Sequence, residues 1–171
     1  MNSNKTFNKI VSFFNKKRYS ILEKRMLRFY RYYNDKYYTQ SSSNPLITVY
    51  VPTYNRGNIL IERAIPSVLS QTYKNFEFII IGDCCNDNTE ELIHNISDPR
   101  IKFFNLPFRK YRYPPSAENN WFAGPVVAAN EALSLIKGDW IARIDDDDVW
   151  SETHLDQLFN YAISNSLEFV S

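Results

Sequence analysis

The chain has 171 residues, of which 44% are hydrophobic and 16% aromatic, enough for one domain with a real core and too apolar for a disordered acidic chain. The formal net charge of +1 hides an asymmetry: residues 1–44 carry ten Lys or Arg against Glu23 and Asp35, while residues 45–171 carry the other ten cations against seventeen acids. A basic arm of net +8 therefore precedes an acidic body of net −7.

No run of 18 apolar residues is present, so no transmembrane helix is expected. The charged N-terminus has no apolar core or cleavage site of a secretory signal. Cys84 and Cys85 are adjacent and cannot make a disulfide framework, which points to a reducing, cytoplasmic compartment. In the arm, Ile10, Phe13, Phe14, Ile21, Leu22 and Phe29 allow an irregular helical apolar stripe among the cations. An interfacial helix on anionic lipid is one reading and a solvated or partner-packed extension the other. "QSSSNP" (40–45) reads as a linker, with a boundary near residue 44.

From Leu46 strands and helices alternate. "LITVYV" is a buried strand ending at Pro52. Residues 57–71 fit one helix, with Ile61, Ile65, Val68 and Leu69 on a face and Pro66 a local fault. "FEFIIIG" (76–82) is the second strand. Asp87 and Glu90 resemble a capping box for a helix reaching about Ile96. "RIKFF" (100–104) is a third strand, followed by a long loop over 105–122. Pro125 can open a helix over 125–136, ended by Gly138. "DWIARI" (139–144) is the fourth strand. Ser151 is placed to cap the next helix, with Trp150 and Leu155 as its hydrophobic staple, and "LEFVS" (167–171) reads as the start of a fifth strand.

This alternation predicts an α/β fold, a parallel Rossmann-like sheet covered on both faces. In such sheets the ligand crevice lies at the carboxyl ends of the strands. Strand one runs into "PTYNRG", strand two into "GDCCND" and strand four into "DDDD". Thr53, Asn55, Arg56, Asp83 and Asp145 to Asp148 thus gather at one mouth if these strands are neighbours. Two unit charges about 5 Å apart repel by roughly 3 kcal/mol at an effective dielectric near 20. The Asp run is therefore either a solvated turn or a place for a cation. Mg²⁺ is commonly held by one or two carboxylates plus substrate phosphates, which suits a nucleotide diphosphate beside Arg56. Asp83 is either an acceptor for a base or ribose, or a turn former.

"VPTYNR", "SVLSQTYKNFEFIIIGD", "NDNTEELI", "DPRI" and "ANEALSLIKGDWIARIDDDDVW" follow one another in order. Together they resemble family 2 glycosyltransferases, inverting enzymes of GT-A fold that use nucleotide-diphospho-sugars, over residues 46 to about 160. The resemblance implies that Pro52, Thr53, Tyr54, Asn55 and Arg56 line the nucleotide and that Asp83 reads the base. It makes Asp147 and Asp145 the paired metal positions for Mg²⁺ or Mn²⁺. Asp145 and Asp146 would lie near the ribose or metal-bound water, and Asp148 would cap the turn. Gly124 and Asn130 fall where sugar or diphosphate is approached. The donor is expected to be a UDP-sugar and the acceptor a glycan or glycoconjugate, with no nucleic acid. The implied location is cytoplasmic, peripheral on the inner membrane face, with membrane contact through residues 1–44.

The sequence departs from the family at three places. Cys84 stands where the family has Gly, a strained choice if φ is positive there. Ala129 replaces an Arg. The acceptor-binding half has no counterpart, so the domain over 45–171 reads as its nucleotide-sugar part and no catalytic general base is named. A non-catalytic nucleotide-sugar-binding fragment or module is the alternative. Cys84 and Cys85 read as packing residues, His154 as a surface residue, and His94 as a helix-end residue.

Overall fold

The computed structural model describes residues 21–22, 24–33, 42–108 and 125–171. Contacts divide the chain into two units, Met1–Ser43 and Asn44–Ser171. In the first, residues 21–22 and 24–33 are helical. At 100° per residue, Leu22 and Phe29 share a side of that helix, whereas Ile21 falls off it. Ile10, Phe13 and Phe14 lie outside the described residues.

The second unit runs β1 (Ile47–Thr53), α1 (Gly57–Glu62), α2 (Ala64–Leu69), β2 (Phe76–Gly82), α3 (Thr89–His94), β3 (Ile101–Asn105), α4 (Val126–Leu135), β4 (Trp140–Arg143) and α5 (His154–Ser164). The four strands form one sheet in the order β3-β2-β1-β4, and every pairing is parallel. This is the expected α/β architecture. Every residue of β1 and β2 is buried, which is why both read as mainly apolar runs and not as strict alternation.

Two cores lie on the two faces of the sheet. Ile47, Val49, Val51, Phe76, Phe78 and Ile80 meet Leu60, Ile65, Val68, Ile93, Leu155 and Phe159 on one side. Each such side chain contributes roughly 1.5–3 kcal/mol by leaving water. On the other, Tyr50, Ile79 and Ile81 lie under Ala128 and Ala132 of α4. Thr48 and Glu77 are polar residues buried on that second face. The Thr48 hydroxyl donates to Glu77 Oε1 at 2.7 Å, and Lys102 Nζ reaches Oε2 at 2.5 Å. The Lys137 N–H donates to Oε1 at 2.9 Å.

Several local expectations are corrected. The helix over 57–71 is two helices broken at Arg63, whose φ of −122° and ψ of −76° leave the helical region. Pro66 is the cause: its ring clashes with the carbonyl four residues back and it offers no N–H. Gly57 opens α1 because a Cβ there would meet the Thr89 Cα of α3 at 2.8 Å. Asp87 makes no capping box; it accepts from the Thr89 N–H at 3.1 Å and the Thr89 hydroxyl at 2.6 Å. The helix after it ends at His94.

Gly138 does not end α4, which stops at Leu135 with Ile136 extended. Gly138 is required by close approach to β1, since a Cβ would meet Thr48 N at 2.5 Å. Ser151 does not cap α5, whose N-cap is Thr153 without a side-chain bond. Buried Gln71 takes over, its Oε1 accepting the Leu155 N–H at 2.9 Å. Trp150 and Leu155 do join one core.

Residues 167–171 form no strand. The end of α5 turns the chain aside: the Leu167 N–H donates to Ala162 O at 2.8 Å and the Ser166 N–H to Ile163 O at 3.2 Å. Ser166 has φ +52°, so this is a Schellman cap with serine in the left-handed position.

Candidate functional site

The strand order reverses direction at β1: β2 and β3 lie to one side and β4 to the other. The crevice at the carboxyl ends of β1 and β4 is therefore the topological switch point. Thr53 closes β1 and the Asp run follows β4.

The turn after β1 is stitched to the turn after β2. Asn55 has φ +53°, a conformation asparagine tolerates better than most residues. Its side chain and Asn86 bond reciprocally: Asn55 Nδ2 donates to Asn86 Oδ1 at 2.8 Å, and the Asn86 N–H donates to Asn55 Oδ1 at 2.9 Å. The Asn55 N–H also points at Cys85 Sγ, 3.4 Å away. Asn105, at the end of β3, accepts the Cys85 N–H at 2.8 Å and donates to the Cys85 carbonyl at 2.9 Å. The Asp83 N–H donates to Thr53 O at 2.8 Å, and the Asp83 residue is buried. Cys84 has φ +62°, the strained conformation considered for this position.

The four aspartates are not equivalent. Asp146 is 7% exposed, while Asp145, Asp147 and Asp148 lie at the surface. Asp146 Oδ2 accepts from the Thr53 hydroxyl at 2.8 Å, and its Oδ1 takes Arg56 Nη1 at 2.9 Å. The same Nη1 reaches Asp147 Oδ2 at 3.1 Å. Asp145 leans to Arg143, whose Nη2 donates to Oδ1 at 2.7 Å. The Asp148 N–H closes the turn onto Asp145 O at 3.1 Å. Hydrogen bonding to Asp146 raises the Arg56 pKa further, so its guanidinium is a fixed cation here.

Thr53, Asn55, Arg56, Asp83, Asp146 and Asp147 thus belong to one connected mouth. Pro52 is buried within β1, and Tyr54 is exposed beside the mouth. Asn130 is exposed on α4, and Gly124 lies outside the described residues. Sequence reading missed Arg143, Asn86 and Asn105. Arg143 had a signal: residues two apart on an extended chain share a face, which pairs it with Asp145. Asn86 and Asn105 had none, since their partners are distant in sequence.

Hard oxygen donors are what Mg²⁺ or Mn²⁺ requires. One nitrogen of Arg56 touches both Asp146 and Asp147, so these carboxylates already converge on a single positive centre. Among the described residues no group of three or more His, Cys, Asp or Glu could hold a metal alone. Asp146 and Asp147 are oxygen donors of the type such a cation takes, two in number.

The cysteines are free thiols. Burial, with Asp87 and Asp83 adding repulsion, pushes the Cys85 thiol up despite the Asn55 N–H, which makes it a packing group. Burial of Asp87 is outweighed by the bonds it accepts from Thr89 and the Gly57 N–H, and its pKa is lowered. His154 is half-buried and not a surface residue; it stacks on Trp150 at 4.4 Å, and burial lowers its pKa. His94 sits exposed in the last turn of α3, edge-on to Phe103.

A parallel sheet whose polar, acidic turns collect at its switch point has them where open α/β folds take their ligands. The sequence matches the profile of Glycosyl transferase family 2 over residues 48–171, and the chain belongs to that family. It is 31% identical over 125 residues to an Escherichia coli protein, the UDP-Glc:alpha-D-GlcNAc-diphosphoundecaprenol beta-1,3-glucosyltransferase WfgD, covering 73% of this chain and 44% of that protein. It is 33% identical over 106 residues to the GalNAc(5)-diNAcBac-PP-undecaprenol beta-1,3-glucosyltransferase of Campylobacter jejuni, covering 61% of this chain and 30% of that one. The fold is similar to the mannosyltransferase PcManGT of Pyrobaculum calidifontis, solved with GDP-Man and Mn²⁺. That match has a TM-score of 0.57 and 18% identity, over 78% of this chain and 39% of the other. The chain spans less than half the length of these relatives.

Proposed function

We propose that residues 45–171 bind the nucleotide diphosphate of an activated sugar, and that the protein transfers this sugar to a glycan or glycoconjugate hydroxyl with inversion. The observation that carries the reading is the convergence of Thr53, Arg56, Asp146 and Asp147 on the switch point. Pro52 to Arg56 line the nucleotide, Asp83 accepts from the base, and Asp145 and Asp146 face the ribose side. Gly124 and Asn130 approach the sugar or diphosphate. Asp147, at the solvent edge, holds a divalent cation, with Asp145 or Asp146 as its neighbour. When bound, Mg²⁺ or Mn²⁺ supplies positive charge to the departing diphosphate.

In the reaction the acceptor oxygen bonds to the anomeric carbon as the bond from that carbon to the diphosphate breaks. Its electron pair leaves with the nucleotide, and one displacement inverts the centre. The acceptor proton goes to a general base, for which no residue of this chain is assigned.

UDP is the favoured nucleotide, because WfgD is named for UDP-Glc. WfgD and the Campylobacter jejuni protein are named for undecaprenol-linked acceptors, which supports a lipid-linked acceptor; the inner face of the cytoplasmic membrane is the location this reading gives the protein. The test is thermal unfolding with UDP or GDP and Mn²⁺ or Mg²⁺. At ligand about 100-fold above Kd, stabilisation of about 2.7 kcal/mol is expected, and Asp147→Ala should abolish it. Neither nucleotide shifting the midpoint with either metal, or Asp147→Ala binding as well as the wild type, rejects the reading.

A further inference from the structure

We infer that the helix of residues 21–22 and 24–33 is a docking surface for an anionic lipid bilayer. Successive side chains on a helix are 100° apart, so positions 22, 26, 29, 30 and 33 fall on one side. These are Leu22, Met26, Phe29, Tyr30 and Tyr33, with 43%, 54%, 57%, 54% and 61% of their surface exposed. The Phe29 ring lies 4.8 Å from that of Tyr33 and 5.9 Å from that of Tyr30. The face is therefore a contiguous aromatic patch and not scattered apolar residues.

Lys24, Arg28 and Arg31 take the opposite side, and Arg25 shares the flanks with exposed Leu27 and Tyr32. A broad apolar, aromatic face backed by cations is the arrangement of helices that lie in the bilayer interface. Two features select lipid over a protein partner. The arm carries net +8 over residues 1–44, a sign and magnitude matched by an anionic leaflet. The apolar residues are mainly Phe and Tyr, whose rings suit the boundary between headgroups and chains. The lipid-linked acceptor proposed above would give this docking a use. The docking itself needs neither sugar nor nucleotide, so it can fail or hold independently of that reading.

The experiment is co-sedimentation of the full chain with vesicles of phosphatidylcholine, alone or mixed with phosphatidylglycerol, over a salt series. The wild type should bind the mixed vesicles, bind neutral vesicles far more weakly, and release with salt. The variant Met26→Ser, Phe29→Ser, Tyr33→Ser should bind about tenfold more weakly or worse. Arg28→Gln with Arg31→Gln should lose on the order of fivefold per cation removed. Ile21→Ser, off the aromatic face, should change binding less than about twofold. An unchanged thermal midpoint of the body separates these effects from misfolding. Failure of the wild type to bind mixed vesicles, retention of binding by the aromatic-face variant, or binding to RNA in place of vesicles overturns the inference.

Discussion

One nitrogen of Arg56, Nη1, lies 2.9 Å from Asp146 Oδ1 and 3.1 Å from Asp147 Oδ2. The guanidinium therefore occupies the position between two carboxylates that the proposed reading gives to a divalent cation. On that reading the two cations compete in the free protein. Arg56→Ala should bind Mn²⁺ several-fold more tightly when no nucleotide is present, as read from the free-Mn²⁺ spin-resonance signal. With UDP present the order should reverse, because a phosphate contact has been removed. Half of the Arg56 side chain is solvated, so the loss of stability should be only about 1 kcal/mol. Weaker Mn²⁺ binding by the variant without nucleotide would show that Arg56 positions the carboxylates for the metal instead of competing with it.

Cys84 has φ +62° at the turn that carries Asp83. A left-handed conformation costs a side-chain-bearing residue roughly 1–2 kcal/mol. Glycine removes that cost but gives back about 0.4–1 kcal/mol through the entropy of the unfolded chain. Cys84→Gly should therefore raise the thermal midpoint by about one or two degrees. Among the described residues the Cys84 thiol reaches only Pro107 O, at 3.9 Å, which is little to lose. A clear drop in the midpoint would mean that this sulfur contact outweighs the backbone strain.

Glu77 supplies a pH dependence. Burial alone would push its pKa up, but the bonds from Lys102, Thr48 and the Lys137 N–H outweigh burial and hold it below the usual glutamate range. In the window below about pH 4.3 the unfolded chain then binds more protons than the folded one, so stability falls as pH falls. The contribution is fully present above that window. Denaturant midpoints measured from neutral pH to about pH 3 should decline less steeply for Glu77→Gln than for the wild type. At neutral pH the variant should already be weaker by roughly 1–2 kcal/mol, because a charged acceptor has been lost. Parallel acid limbs would exclude Glu77 as a source of acid sensitivity.

The strands were legible because β1 and β2 are buried on both faces, and burial leaves mainly apolar, β-branched or aromatic runs, with Pro52 and Gly82 only near their ends. The candidate mouth was legible because polar residues following such runs must collect at one end of a parallel sheet. Helix ends were less so. Pro66 announced a fault but not that the chain would leave the helix at Arg63. Ser151 had the chemistry of a cap, yet the bond comes from Gln71, 84 residues before the N–H it serves. "LEFVS" has strand propensity but no neighbour to pair with among the described residues, and the cap at Ser166 aims it away. The Asp run looked uniform in sequence. Its division came from side-chain direction: Asp146 faces Thr53 and Arg56, and Asp145 faces Arg143.

Gln71 decides how firmly the acidic turn is held, because α5 begins shortly after Asp148 and its start is fixed from the turn that follows α2. Gln71 is fully buried; its Oε1 accepts the Leu155 N–H, and its Nε2 donates to Ser67 O at 2.9 Å and Ser151 O at 2.7 Å. The three bonds are not of equal weight. Ser67 O also accepts the Ser70 hydroxyl, and Ser151 O also accepts the His154 N–H. Only the Leu155 N–H loses its sole acceptor of this kind when the amide is removed. Gln71→Leu keeps the volume and should therefore cost about 1–3 kcal/mol, the penalty of one buried donor left unmet, and not three times that. Thr72 gives α5 a second tether, its N–H donating to Glu152 O at 2.8 Å and its hydroxyl to Asp156, so the helix should loosen at its first turn and not detach. Ser151→Ala, an exposed change, should stay within about 0.5 kcal/mol. Hydrogen exchange at Leu155, beside thermal midpoints of both variants, checks the comparison. If Ser151→Ala destabilises as much as Gln71→Leu, the serine caps α5 after all and the distant glutamine is only filling space.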